Sequence, residues 1–297
     1  VAVALVAAGV RVVGVYEAGD PLRYARRPGS VAAGKLREAT GYVAALARHR
    51  VPYRSRHAVV AARGSAVVSS VDVARLDRHG RPVPESTRSV GCDALAVSYG
   101  FTPQLDLPLA LGCDTRLDVD GNLVVEVDTA GRTSVPGVYA AGEVTGVGGL
   151  ELALVEGRLV GAVVALAAGR PAPYSEFDLT RMLARRAAQR RFAALMHEVH
   201  APPGGWPSWL EPKTVVCRCE EVTYERIVAA VRDLGATDAR SMRGLCRAGA
   251  GWCQGRICGY ATAALTAHLC GRPLRAADLA VFAHRPIAQP VTLAELA

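Results

Sequence analysis

The chain shows no secretory signal, no apolar stretch long enough without charge to span a bilayer, and no G-x-S-x-G, H-E-x-x-H, P-loop or kinase signature. Hydrolase and phosphotransfer classes therefore have nothing to stand on. No side chain offers itself as a substrate-activating acid or base. The scatter of Cys92, Cys113, Cys246 and Cys270 gives an extracellular disulfide framework little support. A soluble, cytoplasmic protein is expected. With 297 residues and 51% apolar composition, there is material for two domains with a real core.

The net charge of +8 comes largely from arginine, including Arg185-Arg186-Ala-Ala-Gln-Arg190-Arg191. Aromatic interleaving is absent and no nucleic-acid motif accompanies that run. A solvated helix face or a contact between subunits is expected, with no nucleic-acid partner.

What is present is a grouping of thiols. Cys217-Arg218-Cys219 is followed by Cys253-Gln254-Gly255-Arg256-Ile257-Cys258. A C-x-C pair on a loop sets two sulfurs side by side, and a C-x₄-C pair at a helix start can supply two more, which is the donor number a 2Fe-2S cluster needs. Four thiolates would also suit a structural zinc, although zinc usually takes two short knuckles with C-x₂₋₄-C spacing. Buried reduced cysteines are the third reading, and Cys246 could replace one ligand.

The runs Val216–Thr223 and Gly249–Gly259 resemble the BFD-like (bacterioferritin-associated ferredoxin) 2Fe-2S domain, in the form fused to flavoproteins. Examples of that form are the alpha subunits of opine oxidase, of dye-linked proline and hydroxyproline dehydrogenases, and of hydrogen cyanide synthase. The resemblance implies that Cys217, Cys219, Cys253 and Cys258 are the cluster ligands. Around them the residues predict a small helical module. Thr223 caps a helix from Tyr224 to Leu234, Asp238 starts a second, and Gln254 to Leu269 forms a third. So small a core predicts that metal binding contributes to folding.

Upstream, the pattern is α/β. Val1–Ala8 reads as a helical tail, Gly9 as its C-cap, and Val10–Tyr16 as a buried strand ending at Glu17. Glu17 holds the acidic position of a dinucleotide fold, or is a solvated turn carboxylate. The G-x-G-x-x-G turn is missing, and the chain opens on Val, so a piece of a longer protein is expected. Val31 to Arg48 reads as an amphipathic helix with Leu36, Tyr42, Val43 and Leu46 facing a sheet. Alternating segments then predict a meander, and Asp93–Tyr99 a central parallel strand. Tyr99-Gly-Phe-Thr-Pro-Gln resembles the crossover of two-dinucleotide-domain flavoproteins back to their FAD domain.

Further on, Leu123–Thr129 reads as a strand, and Thr133–Glu143 as a turn and strand. The run Gly146-Val-Gly-Gly149 then leads into a helix from Leu150. By the flavoprotein resemblance, Gly142 and Glu143 meet the ribityl or pyrophosphate part of FAD. Gly148, Gly149 and Leu150 would point free N–H groups at the flavin pyrimidine edge. Asp178 is expected to cap a basic helix ending at His200. His197 and His200 read as surface residues, and Pro202–Pro212 as an extended, semi-rigid connector. The segment from Pro273 to Ala297 lacks helical periodicity and reads as a tail across a neighbouring subunit or domain.

The expected fold is thus the C-terminal part of a two-dinucleotide-binding-domain flavoprotein plus an all-α 2Fe-2S module. Its segments are 1–102 (partial second dinucleotide domain), 103–170 (return to the FAD domain), 171–212 (helix and linker), 213–272 (cluster module) and 273–297 (tail). The cofactors implied by the resemblance are FAD and a 2Fe-2S cluster, with a second nucleotide such as NAD(P). The implied partners are a flavin-containing catalytic subunit of beta type together with a small ferredoxin-like subunit, with electrons drawn from an amine, imino acid or opine. A non-enzymatic zinc- or iron-sulfur-binding interaction module, and iron mobilisation with a ferritin-like partner, are the competing functions.

Overall fold

Strands form in this chain where a partner lies beside them, and several apolar runs have none. The computed structural model describes residues 1–27, 29, 31 and 33–285. It divides into one unit made of Val1–Gly100 with Ala194–Leu210, and a second made of Phe101–Ala193 with the chain from Glu211 onward.

In the first unit, helix α1 (Ala2–Ala7) ends before Gly9, whose φ of 83° a residue with a side chain adopts at a cost. The expected strand Val10–Tyr16 contracts to β1 (Val15–Glu17), because its parallel partner β2 (Tyr53–Ser55) is equally short. Helix α2 (Ala33–Arg48) forms, but of the four side chains expected to pack on a sheet only Leu46 is even half-buried. Leu36 and Val43 are 56% and 67% exposed, and Tyr42 is exposed as well. The three-residue strands of the β1–β2 pair are too short to cover a 16-residue helix face.

Strands β3 (His57–Gly64), β4 (Val68–Arg75) and β5 (Arg88–Gly91) make an antiparallel sheet in the order β3-β4-β5. Ala58, Val71, Val73, Ala74 and Leu76 are buried with it. The expected central strand Asp93–Tyr99 is not a strand: no described segment pairs with it, and Val97 and Tyr99 are exposed. A central parallel strand needs neighbours on both edges and cover on both faces.

The Pro/Gly/Trp segment is not an extended connector either. It folds into a 3₁₀ turn at Trp206–Trp209, with Gly205 N–H donating to His79 O (3.0 Å) and Trp209 Nε1 to Gly80 O (2.7 Å). His200 is engaged rather than free. Its Nδ1 lies 3.3 Å from Glu17 Oε1, which also accepts from Gly19 N–H.

In the second unit, α3 (Asp106–Ala110) leads to the antiparallel pair β6 (Thr115–Leu117) and β7 (Leu123–Val125). The strand expected over Leu123–Thr129 thus keeps only its first three residues. The stretch before Glu143 is not a strand but a bridge at Arg132 and Tyr139 followed by a 3₁₀ turn, Gly142–Thr145. Helix α4 (Leu150–Ala167) buries Leu152, Val155, Glu156, Leu159 and Ala162, a stripe at helical spacing. Helix α5 (Glu176–His200) starts at Ser175, not Asp178: the Ser175 hydroxyl accepts from Asp178 N–H and donates to its carboxylate.

The C-terminal module follows. The short antiparallel pair β8 (Val215–Cys217) and β9 (Val222–Thr223) precedes helices α6 (Tyr224–Arg232), α7 (Ala239–Cys246), α8 (Gly259–Leu269) and α9 (Ala276–Ala283). Asp238 caps α7 with a reciprocal Ser241 bond. Thr223 precedes α6 without a side-chain capping bond. The third expected helix starts five residues late, at Gly259, because Gln254 and Gly255 take left-handed backbone (φ 53° and 77°).

The tail expectation is corrected by α9, which is an internal element. Leu279 and Phe282 join Leu105, Leu109, Leu123, Val125 and Ala263 in one core. Asp278, buried at the start of α9, is gripped by Arg272 at 2.7 and 2.9 Å. Within the expected tail, Gln289-Pro-Val and the rest of 286–297 lie outside the described residues.

Candidate functional site

The two halves of the thiol motif meet. β8 ends in Cys217, which is 1% exposed, and the turn after it carries Cys219. The loop Cys253–Cys258 comes from between α7 and α8, and Cys258 is the residue just before α8. The Cys219 thiol neighbours that of Cys253, and the Cys217 thiol that of Cys258, closely enough for each to perturb the other. Among the described residues no three Cys, His, Asp or Glu side chains are gathered closely enough to hold a metal ion as they stand, and the four thiols are arranged as two pairs. Two adjoining thiol pairs are the donor set that a two-iron core asks for.

The chemistry of the pocket fits an anionic guest. Burial pushes the Cys258 thiol up to about 12, with the Cys217 thiol adding to the effect. Burial alone would also raise Cys253. The backbone N–H of Ile257, the Cys219 thiol and the N–H groups of Gly255 and Arg256 outweigh it, and Cys253 is lowered. The left-handed turn at Gln254 and Gly255 aims these amides at the sulfur, forming a small cup of N–H groups. Cys219 is raised: the Cys253 backbone N–H works against the shift, but burial and the Cys253 and Cys217 thiols prevail. Cys246 is buried, and its thiol donates to Met242 O (3.3 Å).

The glycines of the loop have a reason. A Cβ on Gly249, Gly255 or Gly259 would strike the Phe282 ring, and one on Gly251 would strike the Cys219 Cβ. Helix α9 therefore plugs the back of the cysteine loop. Arg256, inside that loop, reaches Asp106 of α3 (3.4 Å), and Arg285 binds the same buried carboxylate at 2.7 Å. The cysteine loop is thus anchored on the segment that begins at Phe101, through packing and not through a linker. Trp252 and Ile257, next to Cys253 and Cys258, are 62% and 68% exposed.

Beside α4 lies the glycine turn. Glu143 sits in the 3₁₀ turn, and its Oε1 accepts from Gly149 N–H (2.8 Å) and Gly148 N–H (3.4 Å). The expectation of free N–H groups is corrected at those two residues, because the carboxylate folds back onto the helix start. Gly149 (φ 89°) has open space where a Cβ would stand, and Leu150 is 75% exposed, so the mouth of the helix is accessible.

Gly142 is held from below. Its N–H donates to Glu156 Oε2 (3.0 Å), and Glu156 is forked by Arg190 at 2.8 Å on each oxygen. Arg190 also donates to Gly146 O (2.9 Å) and Thr145 Oγ1 (2.7 Å). The arginine run is a solvated face only in part, since Arg185 and Arg191 are exposed. Arg190 positions the glycine turn, Arg186 donates to Thr129 O, and Arg185 pairs with Glu151.

Glu156, Asp106 and the role of Arg190 escaped the sequence reading. The available signal was a glutamate lying within the apolar stripe of α4, since a carboxylate at a core position needs a cationic partner.

A family model described as pyridine nucleotide-disulphide oxidoreductase matches residues 6–190, and one described as BFD-like [2Fe-2S] binding domain matches residues 215–268. The hydrogen cyanide synthase subunit HcnB of Pseudomonas aeruginosa is 34% identical over 264 residues, covering 88% of this chain and 57% of that protein. An opine oxidase subunit from Agrobacterium tumefaciens is 31% identical over 221 residues, covering 72% of this chain and 43% of that protein. The chain thus spans about half the length of these relatives. The crystal structure of L-proline dehydrogenase from P. horikoshii shares the fold, with a TM-score of 0.62 at 21% identity over 88% of this chain and 48% of that one. The two family matches imply FAD and a 2Fe-2S cluster as cofactors. The chain belongs to the pyridine nucleotide-disulphide oxidoreductase family and carries a BFD-like [2Fe-2S] binding domain.

Proposed function

We propose that the chain is an electron-transferring subunit of a multi-subunit amine, imino-acid or opine dehydrogenase or oxidase. The observation that carries this reading is the meeting of the Cys217/Cys219 turn with the Cys253–Cys258 loop, which is anchored, through Arg256 and Phe282, on the same core as the return segment. Cys217, Cys219, Cys253 and Cys258 hold the cluster, while Gly142, Glu143, Gly148, Gly149 and Leu150 face FAD. FAD supplies two-electron chemistry with a substrate-derived reductant, and the cluster supplies a one-electron relay.

The chain's own residues bind and orient. The amide cup at Cys253 favours negative charge on sulfur, Arg190 and Glu156 fix the glycine turn, and Glu143 must swing from Gly148 and Gly149 if those N–H groups are to meet the flavin. Substrate oxidation belongs to the flavin-containing subunit of beta type, and a small ferredoxin-like subunit completes the complex. The exposed Trp252 and Ile257 beside the ligands give such a partner an apolar contact close to the cluster.

A stepwise reductive titration of the FAD-loaded full chain tests the reading. Flavin and iron-sulfur bands should both bleach, and Cys253→Ser should leave the flavin as the sole acceptor. A colourless zinc-loaded chain, or one whose flavin bleaches with no second acceptor, contradicts it.

A further inference from the structure

We infer that Thr262 tunes the cluster, its hydroxyl donating a hydrogen bond to the Cys258 sulfur and thereby favouring the reduced state. This inference rests on the ligand assignment above and adds a positioning and tuning role for a residue outside the cysteine motif.

The geometry comes from helix α8. Cys258 precedes the helix and Thr262 follows it by four residues, with Thr262 N–H donating to Cys258 O at 2.8 Å. Residues four apart share a helix face, and side chains lean toward the N-terminus, so the Thr262 hydroxyl is directed at the Cys258 side chain. Thr262 is completely buried.

A buried threonine within a helix ordinarily returns its hydroxyl to the carbonyl four residues back. Thr266 does so, with Oγ1 2.8 Å from Thr262 O. Thr262 does not: its Oγ1 is buried and has no partner of ordinary hydrogen-bond geometry. An orphaned buried hydroxyl is costly, so one that persists beside a ligand sulfur calls for an acceptor. The side chain one helical turn before it, on the same face of α8, is Cys258. A sulfur carrying cluster charge is that acceptor. Hydrogen bonds to ligand sulfurs stabilise the more negative, reduced state.

The test compares Thr262→Val, which keeps the shape and removes the hydroxyl, with Thr262→Ser, which keeps the hydroxyl, in the full cluster-loaded chain. Thr262→Ala stands in if valine disturbs packing. The readout is the midpoint potential from an EPR-monitored redox titration. At a fixed poise, the reduced-to-oxidised ratio should fall about five- to tenfold in the Val or Ala variant and stay near wild type in the Ser variant. An unchanged potential in Val or Ala, or an equal fall in Ser and Val, overturns the inference. Loss of the cluster from both Val and Ala while Ser retains it assigns the hydroxyl to cluster retention and also overturns it. A wild-type chain that carries no cluster defeats the ligand assignment itself, so the two failures are distinguishable.

Discussion

Helices α2 and α6 both carry an apolar stripe, yet α6 buries Ile227 and Ala230 almost completely while α2 leaves Leu36, Tyr42 and Val43 in the open. The difference lies in what stands opposite. Helix α6 meets α7 and α8 within one short module, whereas the open face of α2 has no covering element among the described residues. An amphipathic pattern states which side of a helix is to be buried, and the neighbouring elements decide whether it is.

The largest break in this comparison is expected at Phe282. Phe282→Ala removes the ring packed against Gly249, Gly255 and Gly259, and should cost about 3–5 kcal/mol. Val43→Ala on α2 should stay within about 0.5 kcal/mol, as for other exposed positions. Urea unfolding of both variants checks the contrast. Equal losses would mean that α2 is covered after all.

A smaller, pH-dependent effect is expected at Asp278. Burial by itself would raise this carboxyl, but Arg272 and Arg275 outweigh it and hold it at about 2, below the ordinary 3.8. A depressed carboxylate contributes stability that is complete above the ordinary value and lost as pH falls through the folded one. Asp278→Asn should therefore melt below wild type at pH 7, and the gap should close as pH drops from about 4 to about 2. A gap that is constant with pH would show that the ion pair is not the cause.

The grouping of the thiols was legible in the sequence because C-x-C and C-x₄-C spacing is local, and so were α2, α4 and the Asp238 cap. What was not legible depended on distant partners. Asp93–Tyr99 is as apolar as a central strand, but no neighbour pairs with it. Ala276–Ala283 is too short and too uniformly apolar to show a helical stripe, yet it becomes the plug behind the cysteine loop. Arg190 looked like one of a run of surface cations until Glu156, 34 positions earlier, was found against it. The glycines at 249, 255 and 259 suggested loop freedom, and their actual role, clearance for Phe282, is a tertiary fact.

The central claim is that Cys217, Cys219, Cys253 and Cys258 together hold two irons and two sulfides. Its most direct test is iron and acid-labile sulfide analysis of the full chain, combined with EPR of the dithionite-reduced sample. The account predicts equal iron and sulfide and a reduced-state signal that disappears when any one of the four cysteines is replaced by alanine. Zinc in place of iron, or a signal that survives all four replacements, would contradict it.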